Sequence, residues 1–455
     1  MIPLAGTATE AESGPKTRGC PTGPTFVNSL RKMAQRRRKL VRPRAGNNDD
    51  VRHAAHLRGL NLERMLTVVM DRSGPFTRAE LTRATGLSAP TVGSLASHLI
   101  RGGLVRDLGV GPSRGGRRPM FMEFNARHGF VVGIDLGPRQ TRLAIADLSG
   151  APVARRVMPT PQELTPAALL ARIANEVRVL MREAHVGPNR LLAVGASAPG
   201  AVDRERGMVV ALAPDLEGWS KVPMGAILKR ALRAPVVVEN NVNLAILGER
   251  WQGVARGHDS CAFIWLGTGI GAGIVVNGEL HHGSHYLAGE IALMCMGMEY
   301  VDQDFGSRGC LETLAGQRAI LARWSNPSGD GDGGGAAAIF EAAAGGDRRA
   351  IEALRETARL IGVATANLSV VLDPSLIVMG GSLVAQGPSL VEDVRRVVGQ
   401  IVPTPSPIVT STLGLEAPLV GSLLMAVTEA RLRLRQELRT ESSVREKGRV
   451  HARPS

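Results

Sequence analysis

A glycine-rich run, Gly-Thr-Gly-Ile-Gly-Ala-Gly at residues 267–273, directly follows a segment that reads as a β-strand. Glycines leave backbone N–H groups uncovered, so such a run can bind the oxygens of a phosphate or of a sugar. Tight turns also use glycine, and the run alone is weak evidence. The candidate phosphate-loop residues in it are Gly267, Thr268, Gly269 and Gly271.

A second chemical signal is the basic run Ser-Arg-Gly-Gly-Arg-Arg-Pro at residues 113–119. Arginines held by glycines and fixed by Pro119 suit the narrow, electronegative minor groove of DNA. The candidate DNA contacts here are Arg114, Arg117 and Arg118.

The elements before the basic run predict a helix-turn-helix. Helices are expected near residues 60–72, 77–85 and 89–101, and Ser88 and Pro90 suit the first turn of the third. In that helix Val92, Leu95 and Leu99 are spaced to face a core. The outward candidates for reading base edges are therefore Ser88, Pro90, Thr91, Ser94 and His98.

Strands expected at residues 104–107 and 120–124 flank the basic run and make a wing. The segment resembles the winged helix-turn-helix of bacterial repressors, whose second helix enters the major groove. Because the third helix has no Lys or Arg before Arg101, affinity should come mainly from the wing, and discrimination from the helix. Such units also serve as protein–protein modules, but the charge distribution favours double-stranded DNA.

The charge is concentrated at one end of the chain. Residues 1–127 contain 22 Lys and Arg against 9 Asp and Glu, which is nearly all of the net charge of +14. A basic module joined to a near-neutral one predicts that the first binds a polyanion and the second something else.

The sequence predicts a cytoplasmic protein with no membrane partner. It shows no signal peptide pattern and no apolar run long enough to span a bilayer, and its four cysteines are too scattered for a disulfide framework.

Composition divides the chain into four expected segments. They are a disordered basic tail at 1–52, the winged helix-turn-helix at 53–128, an α/β domain at 129–430 and a charged tail at 431–455. The first segment is either a phosphate-binding arm or a dispensable extension.

Alternating strands and helices predict the α/β domain. Strands are expected at residues 131–135, 141–147, 191–197, 235–239, 260–266 and 273–276. Helices are expected near 166–185, 348–372 and 387–398, and a surface insertion at 325–344.

Several motifs accompany the glycine run in a fixed order. They are Ala-Pro-Gly ending at Gly200, Trp219, Glu-Asn-Asn at 239–241, Asn-Gly-Glu at 277–279, Ala-Gly-Glu-Ile at 288–291, Gly-Cys-Leu-Glu at 309–312 and Asp-Pro at 373–374 before Gly380-Gly381. Over residues 130–430 this order and spacing closely resemble the ROK family of repressors and sugar kinases. The resemblance implies an actin-like (ribonuclease H-like) fold of two α/β lobes with a ligand cleft, and a homodimer or homotetramer.

The resemblance also implies which residues contact a sugar. Asn240 matches an amide that holds a sugar hydroxyl, and Glu290 and Glu312 match two carboxylates. Asn241 and Gly200 complete the expected ligand contacts. Read singly, Asn240 could be a turn former, and each glutamate a surface or capping acid.

Two departures from the family's kinases argue against phosphoryl transfer. Asn241 replaces the aspartate that serves as catalytic base, and an amide cannot take a proton from a hydroxyl. The first phosphate loop, with Asp135 and Gly137, continues with Pro138, which has no N–H, and with the bulky Arg139. We therefore expect no catalytic residue, and ATP binding is doubtful although the second loop is intact.

A third departure concerns the family's structural zinc. Alignment on Cys310 puts Leu293, Gln303 and Phe305 at the other three ligand positions, and one thiolate cannot build a tetrahedral site. Cys295 as a displaced ligand raises the count only to two, so we expect no metal.

Together these observations predict a DNA-binding transcriptional regulator, most simply a repressor, whose kinase-derived domain senses a sugar or a related metabolite. One rival is a sugar kinase with an attached DNA-binding domain. Another is an effector-independent DNA-binding protein whose degenerate domain only oligomerises.

Overall fold

The computed structural model describes residues 47–111, 119–211, 218–324 and 335–450, with side chains described between residues 56 and 440 of these. The predicted basic tail lies outside the described residues up to residue 46, as do Arg114, Arg117 and Arg118. In the described ranges no helix is long and apolar enough to cross a membrane.

Three helices and a small sheet form the region predicted as a winged helix-turn-helix. They are α1 (Asn47–Met70), β1 (Phe76–Thr77), α2 (Arg78–Thr85), α3 (Ala89–Arg101), β2 (Val105–Val110) and β3 (Met120–Phe124). The strands pair antiparallel in the order β1-β3-β2. Helix α1 begins earlier than predicted, so residues 47–52 belong to it and not to a disordered tail. The capping residue types Asn and Asp precede two alanines there, which favours a helix start.

The turn between α2 and α3 has the geometry that its residues predict. Gly86 ends α2 in the left-handed conformation, with φ of 65°. The Ser88 hydroxyl caps α3 by accepting the Thr91 N–H at 3.4 Å, and Pro90 lies in its first turn. The predicted bounds of α3 are confirmed.

The buried face of α3 is also as predicted. Val92, Leu95 and Leu99 are at most 1% exposed, and they belong to one hydrophobic cluster with Phe76 of β1 and Met122 of β3. The apolar spacing in α3 therefore fixes which side faces outward.

The first α/β lobe is built on a five-stranded sheet in the order β10-β7-β4-β5-β6. Its elements are β4 (Phe130–Leu136), β5 (Gln140–Asp147), β6 (Pro152–Pro159), α4 (Pro166–Glu183), β7 (Leu191–Ala198), β8 (Ala201–Asp203), β9 (Met208–Ala211), α5 (Met224–Leu232), β10 (Val236–Asn240) and α6 (Asn241–Gln252). Strands β4, β7 and β10 run parallel, while β5 and β6 are antiparallel to their neighbours.

The second lobe has a five-stranded sheet in the order β13-β12-β11-β14-β15. Its elements are β11 (Cys261–Leu266), β12 (Ile270–Val276), β13 (Glu279–Leu280), α7 (Cys310–Ala315), α8 (Gln317–Trp324), α9 (Gly335–Ala344), α10 (Arg348–Leu372), β14 (Leu376–Gly380), α11 (Ser382–Gln386), α12 (Ser389–Ile401) and β15 (Ile408–Thr410). The predicted bounds of α10 are confirmed. The insertion expected at 325–344 lies outside the described residues up to residue 334, and its alanine-rich end is helix α9.

Several strands were not predicted from the sequence. Strand β6 is an edge strand whose side chains are mostly exposed or half-buried, and β14 is short with all five residues buried. Strand β6 lacks a regular alternation of apolar and polar residues, and β14 is a short apolar run that periodicity alone does not distinguish from a buried helix segment.

The strand predicted to begin at Gly273 begins at Ile270. Strands β11 and β12 are an antiparallel pair in which Leu266 faces Ile270. Only Gly267, Thr268 and Gly269 therefore lie in the connecting turn, and Gly271 lies in a strand.

Helix α13 (Ala417–Val450) includes residues 431–450 of the predicted charged tail. It packs closely on the first sheet, since the Ser422 hydroxyl donates to the Ile134 carbonyl at 3.1 Å. A Cβ on Gly195 would lie 2.1 Å from the Ser422 carbonyl oxygen, so only glycine allows this approach. One hydrophobic cluster joins the first sheet, α13 and α1.

Candidate functional site

Both lobes contribute to one cavity of about 390 Å³, a size that suits a small molecule. Ten of the predicted site residues line it: Asp135, Gly137, Gly200, Asn240, Asn241, Thr268, Gly269, Gly271, Glu290 and Glu312. Gly267 is not among the lining residues. The sites proposed for sugar and for phosphate thus meet in one place.

Asn240 ends β10 and caps α6. Its Oδ1 accepts the N–H groups of Val242 at 2.7 Å and Asn243 at 3.1 Å, while its Nδ2 donates to the Gly200 carbonyl at 2.9 Å. Most of the hydrogen-bonding capacity of the Asn240 amide is therefore used at the start of α6 and at Gly200. What Asn240 can offer a ligand is its second Nδ2 hydrogen.

Asn241 is the first residue of α6. Its Oδ1 accepts the Val242 N–H at 2.9 Å, and its Nδ2 has no hydrogen-bond partner among the described residues. The amide can donate to a hydroxyl oxygen, but it cannot serve as a general base.

Glu312 lies in α7 and is 7% exposed. Its Oε2 accepts the Ile270 N–H at 2.9 Å, and its Oε1 lies 3.6 Å from Nη1 of Arg308. A Cβ on Gly269 would lie 3.2 Å from Oε2. The carboxylate therefore fixes the start of β12 beside the glycine turn.

Glu290 follows Gly289, whose carbonyl accepts the Ala272 N–H at 2.7 Å. Gly289 has φ of 89°, and a Cβ there would lie 2.0 Å from the Ala272 carbonyl oxygen, so this position requires glycine. Burial and, second, the nearby charge of Glu312 raise the pKa of Glu290 to about 7. Near neutral pH the side chain is thus a mixture of acid and carboxylate, and it can either donate to or accept from a hydroxyl.

We expect Glu290→Gln to stabilise the ligand-free protein at pH 8 but not at pH 5. With a pKa near 4.5 when unfolded and about 7 when folded, the folded state binds the proton more tightly, so stability falls as pH rises through this window. At a pH above both pKa values, Gln at this position replaces a carboxylate that is costly to keep away from water. The free energy of unfolding should therefore rise by an amount on the order of 1–3 kcal/mol. Thermal denaturation at both pH values measures this, with Glu279→Gln as an exposed control. An equal gain at pH 5 would contradict the assignment.

Asp135 is the residue before the last in β4 and is 3% exposed. It accepts a hydrogen bond from the Ser197 hydroxyl at 2.6 Å and lies 3.3 Å from Nη1 of Arg142. Nε of the same arginine lies 3.5 Å from Glu416. Burial nevertheless raises the pKa of Asp135. This residue is thus part of a charge network that leads to the start of α13.

The structure also shows polar contacts between the lobes that the sequence did not indicate. Glu239 is 1% exposed and accepts Nδ2 of Asn243 at 3.0 Å, and its Oε2 lies 2.8 Å from Nε2 of His282. The Tyr286 hydroxyl lies 3.4 Å from Asp203. Glu239 and Asn243 are four residues apart, but His282 and Tyr286 lie 43 and 83 residues from their partners, so no local spacing could reveal the contacts between the lobes.

The residues at the family's zinc positions do not fit a zinc ion. Leu293 and Phe305 have no donor atom, and the Gln303 amide donates to the Glu299 carbonyl at 3.1 Å. Burial, the first of several causes, raises the pKa of the Cys310 thiol, which disfavours a thiolate. In the described parts of the chain, no three His, Cys, Asp or Glu side chains are grouped to hold a metal.

The surface of α3 is polar where DNA contact is expected. Ser88, Pro90 and Ser94 are exposed, whereas Thr91 and His98 are half-buried. The Thr91 hydroxyl lies 2.8 Å from that of Ser88. Nη1 of Arg58 in α1 lies 3.5 Å from the Ser94 hydroxyl. Arg58 thus supplies a positive charge beside the first turns of α3, which contain no Lys or Arg of their own.

A sequence model of the ROK family matches residues 131–429. Over 359 residues the chain is 28% identical to the xylose repressor of Caldicellulosiruptor bescii, covering 76% of this chain and 88% of the relative. Over 318 residues it is 32% identical to a glucokinase of Streptomyces coelicolor, covering 66% of this chain and 98% of the relative.

Among solved structures, a ROK family transcriptional regulator, a homolog of the E. coli MLC protein, matches with a TM-score of 0.67 at 23% identity. The match covers 84% of this chain and 99% of that chain, so it extends beyond the two lobes. The expected fold class, an actin-like α/β domain behind a winged helix-turn-helix, is confirmed.

Proposed function

Since the chain belongs to the ROK family, we propose that it is a cytoplasmic transcriptional repressor that binds operator DNA and senses a sugar in its cavity. The observation that carries this proposal is the composition of the cavity. Glu290, Glu312 and Asn241 supply hydroxyl-binding groups, but the position of the catalytic base holds an amide.

The similarity to a repressor covers more of this chain than the similarity to a kinase. The match to the xylose repressor covers 76% of this chain, whereas the match to the glucokinase covers 66%. The match to the xylose repressor spans 359 residues, more than the ROK family model at residues 131–429, so it extends beyond that domain. The chain is 32% identical to the glucokinase and 28% identical to the xylose repressor, so the loss of phosphoryl transfer rests on Asn241, Pro138 and Arg139 and not on the relatives.

Helix α13 supplies the route from the cavity to the DNA-binding region. At its start, Leu415 and Pro418 line the cavity, and Glu416 pairs with Arg142. Farther along, successive turns contact α1 and the residue after it in antiparallel order: Arg431 with Asp71 at 3.6 Å, Arg435 with Thr67 at 3.4 Å and Arg439 with Glu63 at 3.8 Å. A ligand that shifts the lobes therefore shifts α13, and with it the helices that read DNA.

In a homodimer this shift changes the separation of two reading helices, and that separation must match the operator half-sites. Sugar binding then alters operator affinity without any direct contact between sugar and DNA. The coupling expected for such a device is about 5- to 150-fold in affinity.

The test combines genome-wide mapping of bound DNA with operator binding in the presence of a sugar panel and an assay of ATP consumption. We expect one sugar to change operator affinity by at least about fivefold and no sugar to cause ATP turnover. Turnover by the native protein would support the kinase instead. Operator binding that ignores every sugar, in a chain that still self-associates, would support the effector-independent protein.

We further predict a division of labour in DNA binding. Arg117→Ala with Arg118→Ala should weaken binding to all sequences and lower the slope of log affinity against log salt by about 2, since each arginine neutralises one phosphate. Thr91→Ala or Ser94→Ala should instead change sequence preference, by about 1–3 kcal/mol at one base pair. Fluorescence anisotropy on operator and random duplexes separates the two effects. Ser97→Ala is the control in the same helix, and equal losses on all sequences from both sets would refute the division.

A further inference from the structure

Helix α1 brings an arginine to the outward face of α3. Nη1 of Arg58 lies 3.5 Å from the Ser94 hydroxyl, although the two residues are 36 positions apart in the chain. Both residues are exposed, and Ser94 lies in the middle of the 13-residue helix α3. The guanidinium therefore lies beside the centre of the helix that is expected to enter the major groove, and not at one of its ends.

Arg58 adds a chemical group that α3 itself lacks on this face. The helix contains no Lys or Arg before its last residue, Arg101, and its outward residues Thr91 and Ser94 carry only a hydroxyl. A hydroxyl can contact several bases, whereas an arginine makes the commonest specific contact, a pair of hydrogen bonds to O6 and N7 of guanine. A guanidinium next to Ser94 could therefore provide discrimination that the hydroxyls cannot.

The carboxylates of the DNA-binding region contact other groups than Arg58. Five acidic residues lie within residues 56–111 and 119–124, and each has another partner. The pairs are Glu63 with Arg439, Asp71 with Arg431, Glu80 with Arg72, Glu123 with Arg106, and Asp107 with the Gly109 N–H. Among the side chains that the structure describes, Ser94 is thus the only polar partner of Arg58. This one long contact leaves most of the guanidinium N–H groups available to a ligand.

We propose that Arg58 reads a base in the major groove, where its guanidinium donates to O6 and N7 of one guanine while the Ser94 hydroxyl orients it. This inference rests on the proposed operator binding and adds a specificity-determining residue from outside the α2–turn–α3 unit. Ser94 lies between Thr91 and His98, which are one turn away on either side and are also expected to face the bases. A planar fork held at this position suits a base edge better than a phosphate at the flank of the groove.

Selection of binding sites from a random duplex library by the full chain tests the proposal. We expect the native protein to select a sequence with a G·C pair whose preference is lost in Arg58→Ala. Fluorescence anisotropy should show that this variant binds the selected duplex about 5- to 150-fold more weakly, as expected for one base contact. Its affinity for random duplexes should stay within about threefold of the native value, and its thermal denaturation should be unchanged, because Arg58 is exposed.

Two further variants separate recognition from charge. Arg58→Lys keeps the positive charge but loses the planar fork, so it should bind random duplexes like the native chain and the selected duplex at least about threefold more weakly. Ser94→Ala removes the group that orients the guanidinium, so the double variant should bind the selected duplex within about twofold of Arg58→Ala alone. Arg172→Ala, an exposed arginine in α4, is the control that should change neither affinity.

The outcomes distinguish failure of this inference from failure of the proposed function. Equal losses on selected and random duplexes in Arg58→Ala, with a salt slope lower by about 1, would indicate a phosphate contact and overturn the proposal while operator binding stands. An unchanged site preference in Arg58→Ala, or losses that add in the double variant, would overturn it as well. If the native chain selects no sequence, the proposed operator binding itself fails.

Discussion

Replacing Glu290 and Glu312 together by Ala should abolish the response of operator binding to the sugar. Both carboxyl groups line the cavity, Glu312 buried and Glu290 half-buried, and a charge-assisted hydrogen bond to a hydroxyl contributes about 1.5–3 kcal/mol. Loss of both should lower sugar affinity by at least about 100-fold. Calorimetry with the sugar found in the panel measures the affinity, and anisotropy on operator DNA measures the response.

Glu312 also fixes Ile270 and faces Arg308, so part of the effect could be structural. Single Glu290→Gln and Glu312→Gln variants keep the shape of each side chain, and thermal denaturation reports whether the fold survives. Operator affinity without sugar should stay within about threefold of the native value, because α3 and the wing are unchanged. Unchanged sugar affinity in the double Ala variant would remove these glutamates from the ligand site.

Leu434→Ala should separate sugar binding from DNA binding. Leu434 in α13 is 7% exposed and belongs to the hydrophobic cluster that includes Leu62 and Leu66 of α1. Truncating a buried leucine costs about 2–5 kcal/mol, which loosens the contact through which α13 acts on α1. We expect sugar affinity to change by less than about twofold, while the sugar-dependent change in operator affinity falls from at least about fivefold to nearly none.

The matched control is Leu432→Ala in the same helix, where the leucine is 39% exposed and its truncation should leave the coupling intact. Both variants are compared with the native chain by calorimetry, by operator binding and by thermal denaturation. A Leu434→Ala protein that is folded and still responds fully to sugar would exclude α13 as the route.

Local elements were predictable because their signals are local. The bounds of α3 and α10 follow from capping residues and apolar spacing within each segment. The start of α1 and the strands β6 and β14 were not predictable in this way. The first turns of α1 are polar, β6 is an exposed edge strand and β14 is short and fully buried, so none of them shows that spacing.

The sequence indicated which residues line the cavity better than it indicated what each of them does there. Asn241, Glu290 and Glu312 do line one cavity, as the resemblance to the family implied. Asn240, however, mainly caps α6, and Gly271 belongs to β12 and not to a phosphate-binding turn. The residue type of an amide or a glycine does not reveal whether it binds a ligand or stabilises the fold. Only the residues that surround it in space distinguish these two functions.

Three features were readable from the amino-acid sequence alone: a basic winged module, a family-typical α/β domain, and an amide where a kinase needs a base. Those conclusions depend on residue identity and spacing along the chain. The fold was needed to show that Arg139 has no partner among the described residues, that burial raises the pKa of Glu290 to about 7, and that α13 packs against α1. Burial and pairing are set by residues far apart in sequence, and they determine the charge of the site.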